Sequence, residues 1–333
     1  MPTNFRGVAA VSIAAALVLS GCASTPEADS PAPEAGGTFP VSIEHAFGET
    51  EIPAQPERVV TWGWGSADAA LALGVVPVAI PFEAYAGDEN GVLPWIADEL
   101  TELGAETPTM LPESPEEPPY EDIIAADPDV ILAGYSGITE EQYAILSDIA
   151  PTVAYPETAW STPWRDLIEI VGTALGKTTE AATLLEDIDA EIAAQADAHP
   201  EFAGKTIAAT WDVGGVFYVY KPADPRVEFL LDLGFENAPS VDALANGDAT
   251  FYYTLSYEEL DKIDAEVVVA YADTQAEADT FVTARNAIPA VKAGNLATVV
   301  GTEYISAVSP PTALSLTWGL DELIAALEKA VTK

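Results

Sequence analysis

The sequence predicts two Rossmann-like α/β lobes joined by one long interdomain helix, with a ligand cleft between the lobes. Three observations lead there: strands alternate with helices, one helix–strand unit occurs twice, and a long amphipathic stretch separates the copies.

In chain order, Arg6 comes first, followed by an uncharged, mostly apolar run from Gly7 to Ser20, with Leu19-Ser20-Gly21-Cys22 at its end. A basic start, a short apolar centre and a small-residue cleavage site predict a secretory signal over residues 1–21. The run falls short of the roughly 20 apolar residues that span a bilayer. Cys22 is the only cysteine, so no internal disulfide forms. Residues 22–38, rich in Ala, Pro, Glu, Ser and Gly, predict a flexible tether.

The first lobe is expected over residues 39–160. Arg58-Val-Val-Thr61 predicts a strand that ends in Trp62-Gly-Trp-Gly65, and Ser66 is placed as the cap of a helix stopped by Gly74. Val75 to Ile80 predicts a second strand, Glu121 to Ala126 a short helix, and Asp129 to Ala133 a buried strand. From Pro163, apolar positions Leu167, Ile170, Val171, Ala174, Leu184, Leu185, Ile188 and Ile192 keep helical spacing, which predicts a connecting helix over 161–199. Gly172 and Gly176 are expected to weaken or bend its middle. The second lobe, residues 200–333, repeats the grammar: a strand from Lys205 to Thr210 ends at Trp211-Asp-Val-Gly-Gly215, and a helix follows from Arg226 to a glycine stop at Gly234. The 14 residues from Tyr120 to Ala133 align without gaps to Tyr257–Ala270, sharing Tyr, Glu, Asp, Val and the final Ala.

The chain carries 12 basic and 54 acidic residues, a net charge of −42. It lacks the basic footprint that nucleic acid requires, and anionic lipid surfaces repel it. Most of these carboxylates are read as a solvated surface.

In open parallel sheets, ligands sit beyond the carboxyl ends of the strands. Those ends offer Trp62, Trp64, Tyr85, Ser136, Trp160 and Trp164 in the first half. The second half offers Trp211, Tyr218, Tyr220, Tyr252, Tyr271 and Tyr304. Together they predict an amphipathic pocket. Arg165 and Arg226 are the cations placed to point into it.

Enzyme readings find little support. Gly63-Trp-Gly65 imitates a dinucleotide fingerprint, but Asp68 stands where the third glycine belongs. No Gly-x-Ser-x-Gly elbow occurs, and His45 and His199, the only histidines, are too few for a His-rich metal site. No acid pair stands out as a hydrolase dyad. The expectation is a protein with no catalytic residue, no cofactor and no metal site of its own.

The Arg58–Val78 segment, Ala126-Asp-Pro-Asp-Val-Ile-Leu-Ala-Gly-Tyr-Ser-Gly137, Ile149-Ala-Pro-Thr152 and Ser309-Pro-Pro-Thr-Ala-Leu-Ser-Leu316 resemble the iron-siderophore substrate-binding proteins of ABC importers. Leu-Ser-Gly-Cys22 resembles a bacterial lipobox, which implies acylation of Cys22 and anchoring on the outer face of the cell membrane, or in the periplasm if an outer membrane exists. The resemblance implies two lobes on a long helix and a siderophore held in a shallow cleft, with arginine and aromatics such as Arg226 and Tyr304 on the chelate. It implies docking of Glu121 and Glu258 on arginines of a permease that works with an ATPase. The expected cargo is a ferric siderophore, hydroxamate rather than catecholate, carried by a monomer that closes little. The alternatives are haem or cobalamin on the same fold, and more remotely a secreted hydrolase.

Overall fold

The computed structural model describes residues 37–114 and 117–332. Cys22, the predicted signal and most of the predicted tether lie outside them.

The first lobe begins with a hairpin of β1 (Val41–His45) and β2 (Gly48–Ile52). Then follow β3 (Val59–Thr61), α1 (Ser66–Ala72), β4 (Ala79–Pro81), α2 (Pro94–Glu102) and β5 (Thr109–Leu111). α3 (Tyr120–Ala125), β6 (Val130–Ala133), α4 (Glu140–Ile149) and β7 (Thr152–Ala154) complete it. Its sheet is wholly parallel, in the order β5-β4-β3-β6-β7. β6 is buried along its whole length, as expected of a central strand covered on both faces. α1 starts one step earlier than the sequence suggests: Gly65, left-handed at φ +73°, is the cap, and Ser66 is already helical.

The connector is two helices where the sequence predicts one, α5 (Trp164–Ala174) and α6 (Thr178–Ala198). Gly176 adopts φ +68°, its N–H donates to Thr173 O, and the Lys177 N–H donates to Gly172 O. This pair of bonds is the glycine-terminated helix ending that satisfies the last carbonyls. A Cβ on Gly172 would stand 2.5 Å from the Ala181 Cβ, so glycine there lets α6 fold back against α5.

The second lobe contains β8 (Thr206–Val213), β9 (Val216–Tyr220), α7 (Pro225–Asp232), β10 (Glu236–Asn237), α8 (Pro239–Leu244) and β11 (Tyr252–Leu255). After a 3-10 helix over Tyr257–Lys262 come β12 (Val267–Ala272), α9 (Gln275–Ala284), α10 (Pro289–Ala293), β13 (Leu296–Val300), α11 (Thr302–Val308) and α12 (Ser315–Val331). β6 lies beside β3 as β12 lies beside β8, all parallel, so the repeated segment fills equivalent places in the two sheets. One difference separates them. The expected turn at Trp211–Gly215 is a continuation of β8 into a hairpin with β9, closed by Gly214 and Gly215 at positive φ.

The largest apolar core runs through both lobes, including Leu71 and Trp95 from the first, Ile188 from α6, and Leu320 and Ile324 from α12.

Candidate functional site

The loop after β3 is laid flat on the loop after β6. Trp62 N donates to Leu132 O and Trp64 N to Tyr135 O. Between the two tryptophans Gly63 has φ +83°, and a Cβ there would meet Tyr135 O at 2.3 Å. Only glycine permits this approach. It holds Trp62 and Trp64 on the wall of a cavity of about 500 Å³, with Phe82, Glu83, Tyr85 and Trp160. Trp160 is 44% exposed and left-handed at φ +58°, with its N–H donating to Ser136 O. A bulky residue held in that conformation beside a cavity marks a place where position outweighs strain.

A second cavity, of about 310 Å³, opens on the other lobe against Trp211, Asp212, Tyr271, Asp273 and Arg285. Trp211 and Tyr271 meet edge to face at 5.7 Å. The two lobes touch where Tyr85 Oη donates to Asp273 and where the Ser161 and Thr250 hydroxyls meet at 3.1 Å.

Arg226 lies buried in the second lobe. Asp224 caps α7 by accepting from Arg226 N at 3.0 Å, and its carboxylate stands 2.6 Å from Arg226 Nε. Asp224 is fully buried, so the charge of this arginine is neutralised in place. Burial raises the Asp224 carboxyl, and the adjoining guanidinium opposes that rise. The guanidinium sits 3.9 Å over the Tyr220 ring, a cation–π contact. Burial pushes the Tyr220 hydroxyl up to about 12 and raises Tyr135 and Tyr271 as well, so all three remain protonated donors near neutral pH.

Several predicted site residues stand elsewhere. Ser136 is wholly buried, its hydroxyl donating to Ala133 O, and it braces the loop. Trp164 is buried on α5 at the spacing of Leu167, Ile168 and Val171, and belongs to the core. Arg165 points away from the cleft to Asp189, Glu228 and Asp232, tying α5 to α6 and α7. Tyr218 and Tyr252 pair edge to face on β9 and β11, and line neither cavity. Tyr304 stacks on Trp318 at 5.3 Å and also stands outside both linings. His45 is buried against Thr50. His199 sits between Glu201 and Glu328 and lines neither cavity.

Glu121 and Glu258 are both exposed, in the first turns of α3 and of the 3-10 helix. Each element leads into the strand of the repeated unit, α3 into β6 and the 3-10 helix into β12.

Sequence reading omits the acids of the site. Glu83 borders the larger cavity, its carboxyl pushed up to about 7 by burial and by the charges of Asp68 and Glu113. The Asp224 role was available in Asp-Pro-Arg, the signature of a capped helix start. Nothing local marks Glu83, Asp273 or the Asp212–Arg285 pair.

Residues 59–300 match the family model described as periplasmic binding protein. The chain belongs to that family. A curated relative is the probable siderophore-binding lipoprotein YfiY of Bacillus subtilis, 27% identical over 268 residues that cover 78% of this chain and 76% of the relative. Among solved structures, PiaA of Streptococcus pneumoniae in complex with ferrichrome is 35% identical. It superposes with a TM-score of 0.79, over 88% of this chain and 99% of that one. A periplasmic solute binding protein from Mycobacterium smegmatis is 28% identical with a TM-score of 0.72, over 87% and 98%. These relatives are binding proteins, and the two-lobed architecture is theirs. Among the described residues no helix is long and apolar enough to cross a membrane.

Proposed function

We propose that this chain is an extracytoplasmic lipoprotein, held at the membrane by acylated Cys22, that captures a ferric siderophore and passes it to an ABC permease and its ATPase. The observation that carries this reading is the aromatic-walled cavity of about 500 Å³ facing a second cavity across the cleft. A chelate wrapped in its own ligands offers apolar faces and a few oxygen acceptors. Tryptophan faces and neutral phenol hydroxyls suit both. Iron stays with the siderophore.

The cargo is a ferric hydroxamate. A triply anionic ferric catecholate requires free cations, whereas Arg226 is neutralised by Asp224 and Arg285 by Asp212. The ferrichrome complex of the pneumococcal relative supports the same class. Glu121 and Glu258 dock on permease arginines, one acid from each lobe. Alanine at both should leave binding intact and abolish uptake in cells that carry the cognate permease.

Tryptophan fluorescence during titration with ferric hydroxamates, ferric catecholates, haem and cobalamin tests the cargo. Saturable quenching by ferric hydroxamates alone bears the reading out. Response to haem or cobalamin alone keeps the fold and replaces the cargo.

A further inference from the structure

The larger cavity carries charge of one sign. Among the described residues, Glu83, Glu113 and Glu117 border it and no lysine or arginine does. The facing cavity adds Asp273, Glu277 and Asp212, against Arg285 alone. Surface acids need no explanation in a chain this acidic, and Glu113 and Glu117 are exposed. Glu83 is different. It is partly buried, its carboxylate has no donor or cation among the described residues, and buried Asp68 lies behind it. Asp68 is already satisfied by Trp95 Nε1 at 2.6 Å and by the Thr312 hydroxyl, so it offers Glu83 only repulsion. A half-buried carboxylate costs stability unless something compensates its charge. Within a binding cavity, that compensation is available from cargo.

We propose that the captured ferric hydroxamate carries a pendant protonated amine, and that Glu83, with the Glu113 and Glu117 rim, receives it. The inference rests on the hydroxamate reading above and narrows it from a chelate class to a charge. The hydroxamate core lies on Trp62, Trp64 and Trp160, and the amine reaches the acid beside Phe82. Nothing in the sequence signals this, because Glu83 stands in a loop among other acids.

The test uses the intact protein and two probes: a linear ferric trihydroxamate with a free terminal ammonium, and the same molecule N-acetylated. Tryptophan quenching at low salt should show the ammonium form binding about tenfold tighter, as expected of a charge-assisted contact in a partly desolvated site. Glu83→Gln should reduce that preference, read as the ratio of the two forms within the variant, to about threefold or less. Between pH 6 and pH 8 the preference should grow about fivefold, since the Glu83 carboxyl ionises across that window while the amine stays charged. Among the described residues, Asp68 and Glu113 act on Glu83, and Glu117 and Tyr85 are the other titratable groups on the cavity wall. Asp68 is held behind it by two donors, and Glu113 and Glu117 are exposed acids at the rim. Equal binding of the two forms, or tighter binding of the acetylated one, overturns this inference and leaves the hydroxamate reading standing. Failure of both forms to bind overturns the hydroxamate reading and this inference together.

Discussion

The hydroxyl of Tyr85 donates to the carboxylate of Asp273, so a wall of the larger cavity is tied to the lip of the smaller one. The bond joins the two lobes between the two cavities. Asp273→Ala should raise the association rate of a ferric hydroxamate about threefold to tenfold, the range expected when one hydrogen bond holds the unliganded cleft shut. Stopped-flow quenching measures it. An unchanged rate would mean cargo enters beneath the bond without breaking it.

Arg226 and Asp224 should behave as a unit. Arg226→Ala leaves Asp224 buried without its cation, so urea unfolding should register a loss of about 3–5 kcal/mol. Replacing both with alanine should cost clearly less than Arg226→Ala alone. If the double variant is the less stable one, the pair contributes more than its mutual neutralisation.

Arg165 offers the contrast. It faces Asp189, Glu228 and Asp232 at 2.6–3.0 Å on a partly exposed surface. Arg165→Ala should cost about 1–2 kcal/mol, from lost pairing and from three acids left facing one another. Raising the salt should shrink that cost by screening. Cargo affinity should stay within about twofold. A large affinity loss would return Arg165 to the cleft.

Glu83 gives stability a pH signature. Its folded carboxyl is raised to about 7, so the folded state is favoured below the ordinary glutamate value and loses stability as pH rises through 7. Glu83→Gln should therefore stabilise the unliganded protein by about 1–2 kcal/mol at pH 8, allowing for its partial exposure, and by almost nothing at about pH 4. Thermal unfolding at the two pH values compares them directly.

The repeat at Tyr120 and Tyr257 was legible because continuously apolar strands such as β6 and β12 stand out in any acidic chain. The break in the connector was half legible: Gly172 and Gly176 signalled weakness, but a helix ending needs the carbonyls at Gly172 and Thr173 to find donors, which only coordinates display. Trp160 and Trp164 show the same limit from the other side. Pro163 starts the helix, so Trp164 falls in register with Leu167 and Val171 and goes to the core, while Trp160 stays in the loop. Arg165 and Arg226 could not be separated, because each finds its acids through folding. Asp189, Glu228 and Asp232 reach the first, and the capping Asp224 the second.

The shared core also dictates an order of assembly. Asp68 receives a donor from Thr312, and Trp95 packs at 5.5 Å on Trp318 of α12. The core of the first lobe is therefore complete only when α12 is in place. A chain leaving the ribosome cannot complete this core until α12 has emerged, and contacts so distant in sequence form late. Until that moment Asp68 has only the Trp95 N–H as a side-chain donor, and Trp95 lacks the Trp318 ring it packs on.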